Sequence, residues 1–337
     1  MARASTILFR PFAFALLLAV VLLAVSLPVI ATTAPRTFVA SYGNDAHPCT
    51  VTQPCRGFIA AAGKTAAGGE IIVLDSAGYG RVRLYQSISI IAPPGVYAGI
   101  SVDFENGIWV DDSGSGATIT LRGLTITAAG GSNGIGVTNV GRLIVDRCVM
   151  SGFFGGAGIE VDSADEVSII DTTVANSDSG IAINVGPRPN PTLISIHGGN
   201  LLHDFYAVVV HGNVSGEIDG SVLVSTGVQA GTGIAVSGGP VELHVANTTI
   251  RGFEEGVNLT GPPPYASVSI SHSELTNNNV AARTEDNGLL AMEGNRLVHN
   301  VQVLAILGTG VAFSAGDNYY AFDGSDGPSF TGTGGFK

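Results

Sequence analysis

Two lysines (Lys64 and Lys337), one tryptophan and three cysteines in 337 residues exclude several classes of protein at the outset. Only 12% of the residues are charged, too few for a disordered polyelectrolyte, while 47 glycines and 45% hydrophobic residues describe a tightly turning β protein. The formal charge is -12, and loss of Arg3 and Arg10 with an N-terminal segment takes it to -14. That sign excludes nucleic acid as a partner, and excludes naked polyanions unless a cation bridges them. Beyond the N-terminus no stretch is long and apolar enough to span a bilayer.

The N-terminus itself reads as a targeting segment. "MARASTILFRPF" supplies Arg3 and Arg10, "AFALLLAVVLLAVSL" is uncharged and apolar, Pro28 breaks the run, and "VIATTA" offers small residues for cleavage after Ala31. An uncleaved anchor is the alternative, and is the one route by which this chain would meet a membrane. Either way the chain is exported, to the periplasm, the cell surface or the medium.

What the chain has in quantity is a repeat. Short strands open on Gly-Ile or an equivalent at Gly107, Gly134, Gly158, Gly180, Ala207, Gly233, Gly256 and Asn279, in steps of 27, 24, 22, 27, 26, 23 and 23 residues. Each is followed by a second strand such as "RLIV", "EVSI" or "LISI", then by a polar corner and a lone apolar anchor. The anchors are Ile126, Met150, Val174, Leu201, Leu223, Ile250, Leu275 and Leu297. A spacing of two, β-branched runs and Gly or Asn at the corners exclude helices. One such unit cannot bury its apolar side alone, whereas stacked units share a continuous core. The expected fold is all-β, a single-stranded right-handed parallel β-helix of about 24 residues per coil over residues 71–320. Residues 32–70 form its N-terminal cap, in which Gly57 to Ala67 reads as a short helix, and residues 321–337 form a Gly-rich tail.

Cys49 and Cys55, six apart in "HPCTVTQPCRGF", close a small disulfide loop in an oxidising compartment, with metal binding alongside His47 the alternative. Cys148 reads as a core or turn residue.

"TFVASYGNDAHPCTVTQPCRGFIAAAGKTAAGGEIIVLDSAGYG", Thr37 to Gly80, resembles the opening of exported bacterial β-helix proteins of the pectin lyase-like superfamily, and with the coils the resemblance runs from about Thr37 to Tyr320. It implies the fold and contact with carbohydrate, since superfamily members include polysaccharide lyases, hydrolases and epimerases. The superfamily's catalytic signatures are missing. There is no Gly-His-Gly, and the one adjacent Asp pair, Asp111-Asp112, lacks the flanking pattern, so no active-site residue is carried over.

The site is therefore drawn from geometry. Aligned Gly-Ile strands place one outward residue per coil in a column, Trp109, Gly136, Glu160, Ala182, Val209, Ala235 and Asn258. Beside it run Asp111, Thr138, Asp162, Asn184, His211, Ser237, Thr260 and Arg283. Residues two apart on a strand lie roughly 6.6 Å apart and successive coils roughly 4.8 Å, so Glu160 with Asp162, and Asp111 with Asp162, fall in or at the edge of the ~6.5–9.5 Å of an inverting carboxylate pair. A catalytic set of Asp111, Glu160, Asp162 and His211 follows, set against an ordinary solvated sheet face that alternates for structural reasons alone. Carbohydrate contacts fall to Trp109, by stacking, and to Asn184, Arg188 and Tyr265. The last two lie on insertions, "NVGPRPNPT" and "TGPPPYAS", that would wall a shallow cleft floored by His211 and Ser237.

No metal site or cofactor emerges. The remaining histidines scatter over corners, and "DGSDG", from Asp323, is a calcium-like acid run without the closing Glu. Three functions remain in play: a non-catalytic exported β-helix contacting polysaccharide or a cell-envelope glycan, a polysaccharide lyase, hydrolase or epimerase, and a structural or protein-binding solenoid.

Overall fold

Alternating apolar residues need a partner strand on each side, and stacking provides it throughout. The computed structural model describes residues 33–114, 116–226, 231–261, 265–321, 323–324 and 330–333; the targeting segment and most of the tail lie outside them. The described chain is an all-β, right-handed parallel β-helix of about 10 turns and ~24 residues per coil. A typical coil gives a first strand (Ala157–Val161), a second (Ala164–Ile170) and a third (Thr173–Ala175), each pairing in parallel with its counterparts above and below. One coil differs: Asn133–Asp146 runs unbroken through the first and second sheets.

The core follows from the register. Inward Ile108, Ile135, Ile159, Ile181, Val208 and Ile234 pair rung to rung in the first sheet and are fully buried. The eight lone anchors from Ile126 to Leu297 form one ladder of the third sheet, all at most 1% exposed. Between the second and third strands eight coils turn through one left-handed residue. Gly123, Gly198, Gly220 and Gly294 serve in four coils, and Arg147, Asp171, Asn247 and His272, at φ of 46–51°, in the others. His203 and His299, at φ 61° and 60°, take the same conformation at the next corner, so three of the scattered histidines are turn residues.

At the N-terminal end a strand at Ala34–Val39 pairs in parallel with Thr65–Val73, and Cys49 and Cys55 are joined in a disulfide beneath it. The helix here is shorter than its sequence suggests: it spans Phe58–Ala62, and the chain is already strand from Thr65. Pairing overrides the Ala-rich helix propensity, because Thr65–Val73 is hydrogen-bonded between two strands and the Thr65 hydroxyl lies 2.7 Å from that of Thr37. Free Cys148 is buried, and desolvation pushes its thiol up to about 12, as a core residue requires.

Candidate functional site

The outward column of the first sheet runs as its alternation implies. Arg83, Trp109, Gly136, Glu160, Ala182, Val209, Ala235 and Asn258 pair in that order. The next member is Arg283, which the sequence pattern put in the neighbouring column: Val257 pairs with Ala282, so the unit mark belongs at Ala281 and not at Asn279.

A groove of about 670 Å³ lies over the upper part of this column. Its floor is Trp109, Glu160, Ala182 and Val209, with Asn184 at one side. Its wall is the corner that feeds the first strands, with Glu105, Asn106, Asn133 and Asp178.

Four polar side chains of the groove, Glu105, Asn106, Asn133 and Glu160, are positioned by neighbours. The Arg83 guanidinium lies 4.2 Å above the Trp109 ring and is itself held by Glu105 at 2.8 Å, so one indole face is covered and the other is left to the groove. Trp109 Nε1 donates to Thr138 Oγ1 at 3.0 Å, fixing the plane of the ring. Buried Asn133 donates from Nδ2 to Glu160 Oε2 at 2.6 Å and to Asn106 Oδ1 at 3.2 Å, and its own Oδ1 accepts from the Ala157 N–H at 2.7 Å. Gly136 leaves room beside the indole, and the Asn106 side chain takes that room: a Cβ at Gly136 would sit 2.1 Å from Asn106 Nδ2. The result is a preset acceptor, Glu160, beside a flat apolar ring.

The expected residues separate here. Trp109, Glu160 and Asn184 share the groove; Asp111, Asp162 and His211 are not part of its lining. Asp111 pairs with Asn139 across a β-bulge and accepts from the Ser113 N–H at 3.2 Å. Asp162 follows the end of its strand, exposed, and partial desolvation raises its carboxyl above the ordinary value. His211 is exposed, with Nδ1 3.2 Å from Ser237 Oγ.

Of the two insertions expected to wall a cleft floored by His211 and Ser237, residues 262–264 lie outside the described residues. Arg188 folds back to donate to the Ala164 carbonyl, the Asp165 carboxylate and, at 2.9 Å, Thr192 Oγ1. Tyr265 and Pro191 instead border a cleft of about 330 Å³ floored by Ser215, Glu242 and Ser267. The chain leaves the first sheet at that corner, and Arg188 of the insertion at 184–192 bonds to Ala164, Asp165 and Thr192 of the second sheet.

Several groove residues escape a column-by-column reading of the sequence. Asn106 and Asn133 precede Gly-Ile as "NGI" in two successive coils, where the next two coils have Ala157 and Ser179, and that local doubling was the available signal. Phe104 and Phe154, 53% and 76% exposed, adjoin the groove residues Glu105 and Gly155 and had none.

As a cation site the groove does not fit: Glu105 is paired with Arg83 and Glu160 is bonded to Asn133. Among the described residues no group of three or more His, Cys, Asp or Glu is arranged to hold a metal ion.

This parallel β-helix architecture recurs in solved structures of low sequence identity. Comparison with solved structures finds a pectate lyase, Pel9A, at a TM-score of 0.53 and 13% identity, over 90% of this chain and 79% of that one. A lacto-N-biosidase from Eubacterium ramulus aligns at a TM-score of 0.46 and 11% identity, over 85% of this chain and 68% of that one. XylC, in complex with xylose, aligns at a TM-score of 0.46 and 10% identity, over 86% and 69%. No protein-family model and no curated protein sequence matches the chain.

Proposed function

We propose that the protein is an exported β-helix that binds a neutral polysaccharide or cell-envelope glycan in the first-sheet groove without cleaving it. The observation that carries this reading is the separation of Trp109, Glu160 and Asn184, which share the groove, from Asp111, Asp162 and His211, which lie outside its lining. One indole face, a carboxylate oriented by Asn133 and an amide at the edge suffice to stack a sugar ring and accept its hydroxyls. Cleavage needs in addition an acid that holds a proton and a base opposite it. The one carboxyl among the sequence candidates with a raised pKa, Asp162, is not in the groove. The net charge of -12 favours a neutral ligand over an acidic one. Export is supported by the basic-apolar N-terminus and the Cys49–Cys55 disulfide.

A second reading, glycan hydrolysis, is favoured by the presence of Glu105 and Asp178 with Glu160 in one groove. A polysaccharide panel scored for binding and for product release, on wild type, Trp109→Ala, Glu160→Gln and Asp162→Asn, decides between them. Binding that weakens in Trp109→Ala and yields no products supports the proposal. Products that disappear in Glu160→Gln replace it with hydrolysis.

A further inference from the structure

The outward face of the second sheet carries another groove, of about 790 Å³. Five consecutive coils build it, with Leu193, Ser215, Glu242, Ser267 and Leu289 paired rung to rung along one edge. Beside them Glu217, His244 and Ser269 pair in the same way, with His244 Nδ1 2.7 Å from Ser269 Oγ. Gly216 occupies a rung where the neighbouring coils have buried Ile194 and Leu243, and Ile194 fills the space its side chain would take. The Tyr265 cleft continues this groove, since Ser215, Glu242 and Ser267 line both.

Charge marks the groove off from the rest of its sheet. Elsewhere on the second sheet acids meet arginines: Glu70 with Arg36, Asp146 with Arg122 and Arg147, Glu166 with Arg142. In the groove this matching stops. No Lys or Arg lines it, Glu217 is partnered by His197 at 3.0 Å, and among the described residues Glu242 and Glu293 enter no ion pair. The occupant that complements it carries positive charge along an extended, hydroxyl-bearing chain. Serine hydroxyls, aliphatic Leu193 and Leu289 and the exposed Tyr265 ring suit sugar edges and faces better than a peptide backbone, because the groove offers no open strand edge for a peptide to pair with. The coils step by roughly 4.8 Å, close to one pyranose unit of an extended chain, and five of them span roughly 19 Å.

We propose that this groove binds a cationic amino-sugar oligomer, independently of the ligand of the first sheet. The test is calorimetric titration of the protein with a glucosamine hexamer, its fully N-acetylated counterpart and hexalysine. The glucosamine hexamer binds, Glu242→Gln/Glu293→Gln weakens it about tenfold and Tyr265→Ala about threefold, and Trp109→Ala leaves it unchanged. All four substitutions are at exposed or half-exposed side chains, and unchanged melting temperatures verify folding. Equal affinity for the N-acetylated hexamer, no loss in the double variant, or loss in Trp109→Ala overturns the proposal. Hexalysine binding as tightly as glucosamine overturns it in favour of a basic-peptide surface.

Discussion

The two grooves share two coils and differ in how their acids are answered. Over the first sheet, Glu105 meets Arg83 and Glu160 meets Asn133, so the carboxylates are set in place before any ligand arrives. Over the second sheet, Glu242 and Glu293 enter no ion pair among the described residues. An answered acid orients a hydroxyl; an unanswered one attracts charge. A solenoid can present both because each sheet has its own outward columns over one shared core.

The largest effect that tests this contrast comes from the core beneath both grooves. Ile181 is fully buried, and its coil supplies Ala182 and Asn184 to the first groove and Leu193 to the second. Ile181→Ala is expected to cost about 2–5 kcal/mol in denaturant unfolding and to weaken both ligands together. Loss at one groove alone would show that the two faces are energetically separate.

The second effect is confined to the first groove and depends on pH. Asp204 is 1% exposed, accepts from the Ser177 N–H at 2.7 Å just before the wall residue Asp178, and leaves Oδ2 buried without a partner. Desolvation pushes its carboxyl up to about 7. A folded-state value raised above the unfolded one means that the native protein holds a proton the unfolded chain has released. Stability from this group is full below about pH 4, is lost as pH rises toward 7, and changes no further above it. A shift of that size is worth at most ~4 kcal/mol. Asp204→Asn should therefore flatten the pH profile of thermal stability between pH 4 and 7, and hold affinity at the first groove constant across that range. An unchanged profile would place the pH dependence elsewhere.

Smaller effects separate the faces by ligand. Trp109→Ala should weaken a first-groove glycan about tenfold and leave glucosamine binding untouched. Arg83→Gln uncovers the second indole face and releases Glu105. It should leave the melting temperature unchanged and move glycan affinity by about twofold, the smallest change in the series.

Most of the fold was legible in the sequence because a period of two, repeated every coil, overdetermines the register. Eight anchors and seven outward residues, Trp109 to Asn258, fell where alternation placed them. The reading failed where a local rule met a tertiary one. The Ala-rich window after Gly57 favours helix, yet Thr65 onward pairs as strand. Asn279 imitates a unit mark and displaces Arg283 by one column. The site was legible only in part, since alternation says which residues face outward and not which corner folds over them. Of the residues it named, Trp109, Glu160 and Asn184 line one groove together with Asn133, which it did not name, and Arg188 is bonded to Ala164 and Asp165. The second groove was invisible because its character comes from arginines that are not there.

The left-handed residue between the second and third strands has a practical consequence. In eight coils one corner is held to one or two residues, whereas the corner after the first strand already accommodates "NVGPRPNPT". The molecule thus has one seam that keeps the coil length constant and another at which length is free. Foreign loops grafted at the free seam, between Asn184 and Thr192, would be displayed over the second sheet at a pitch set by the fixed one.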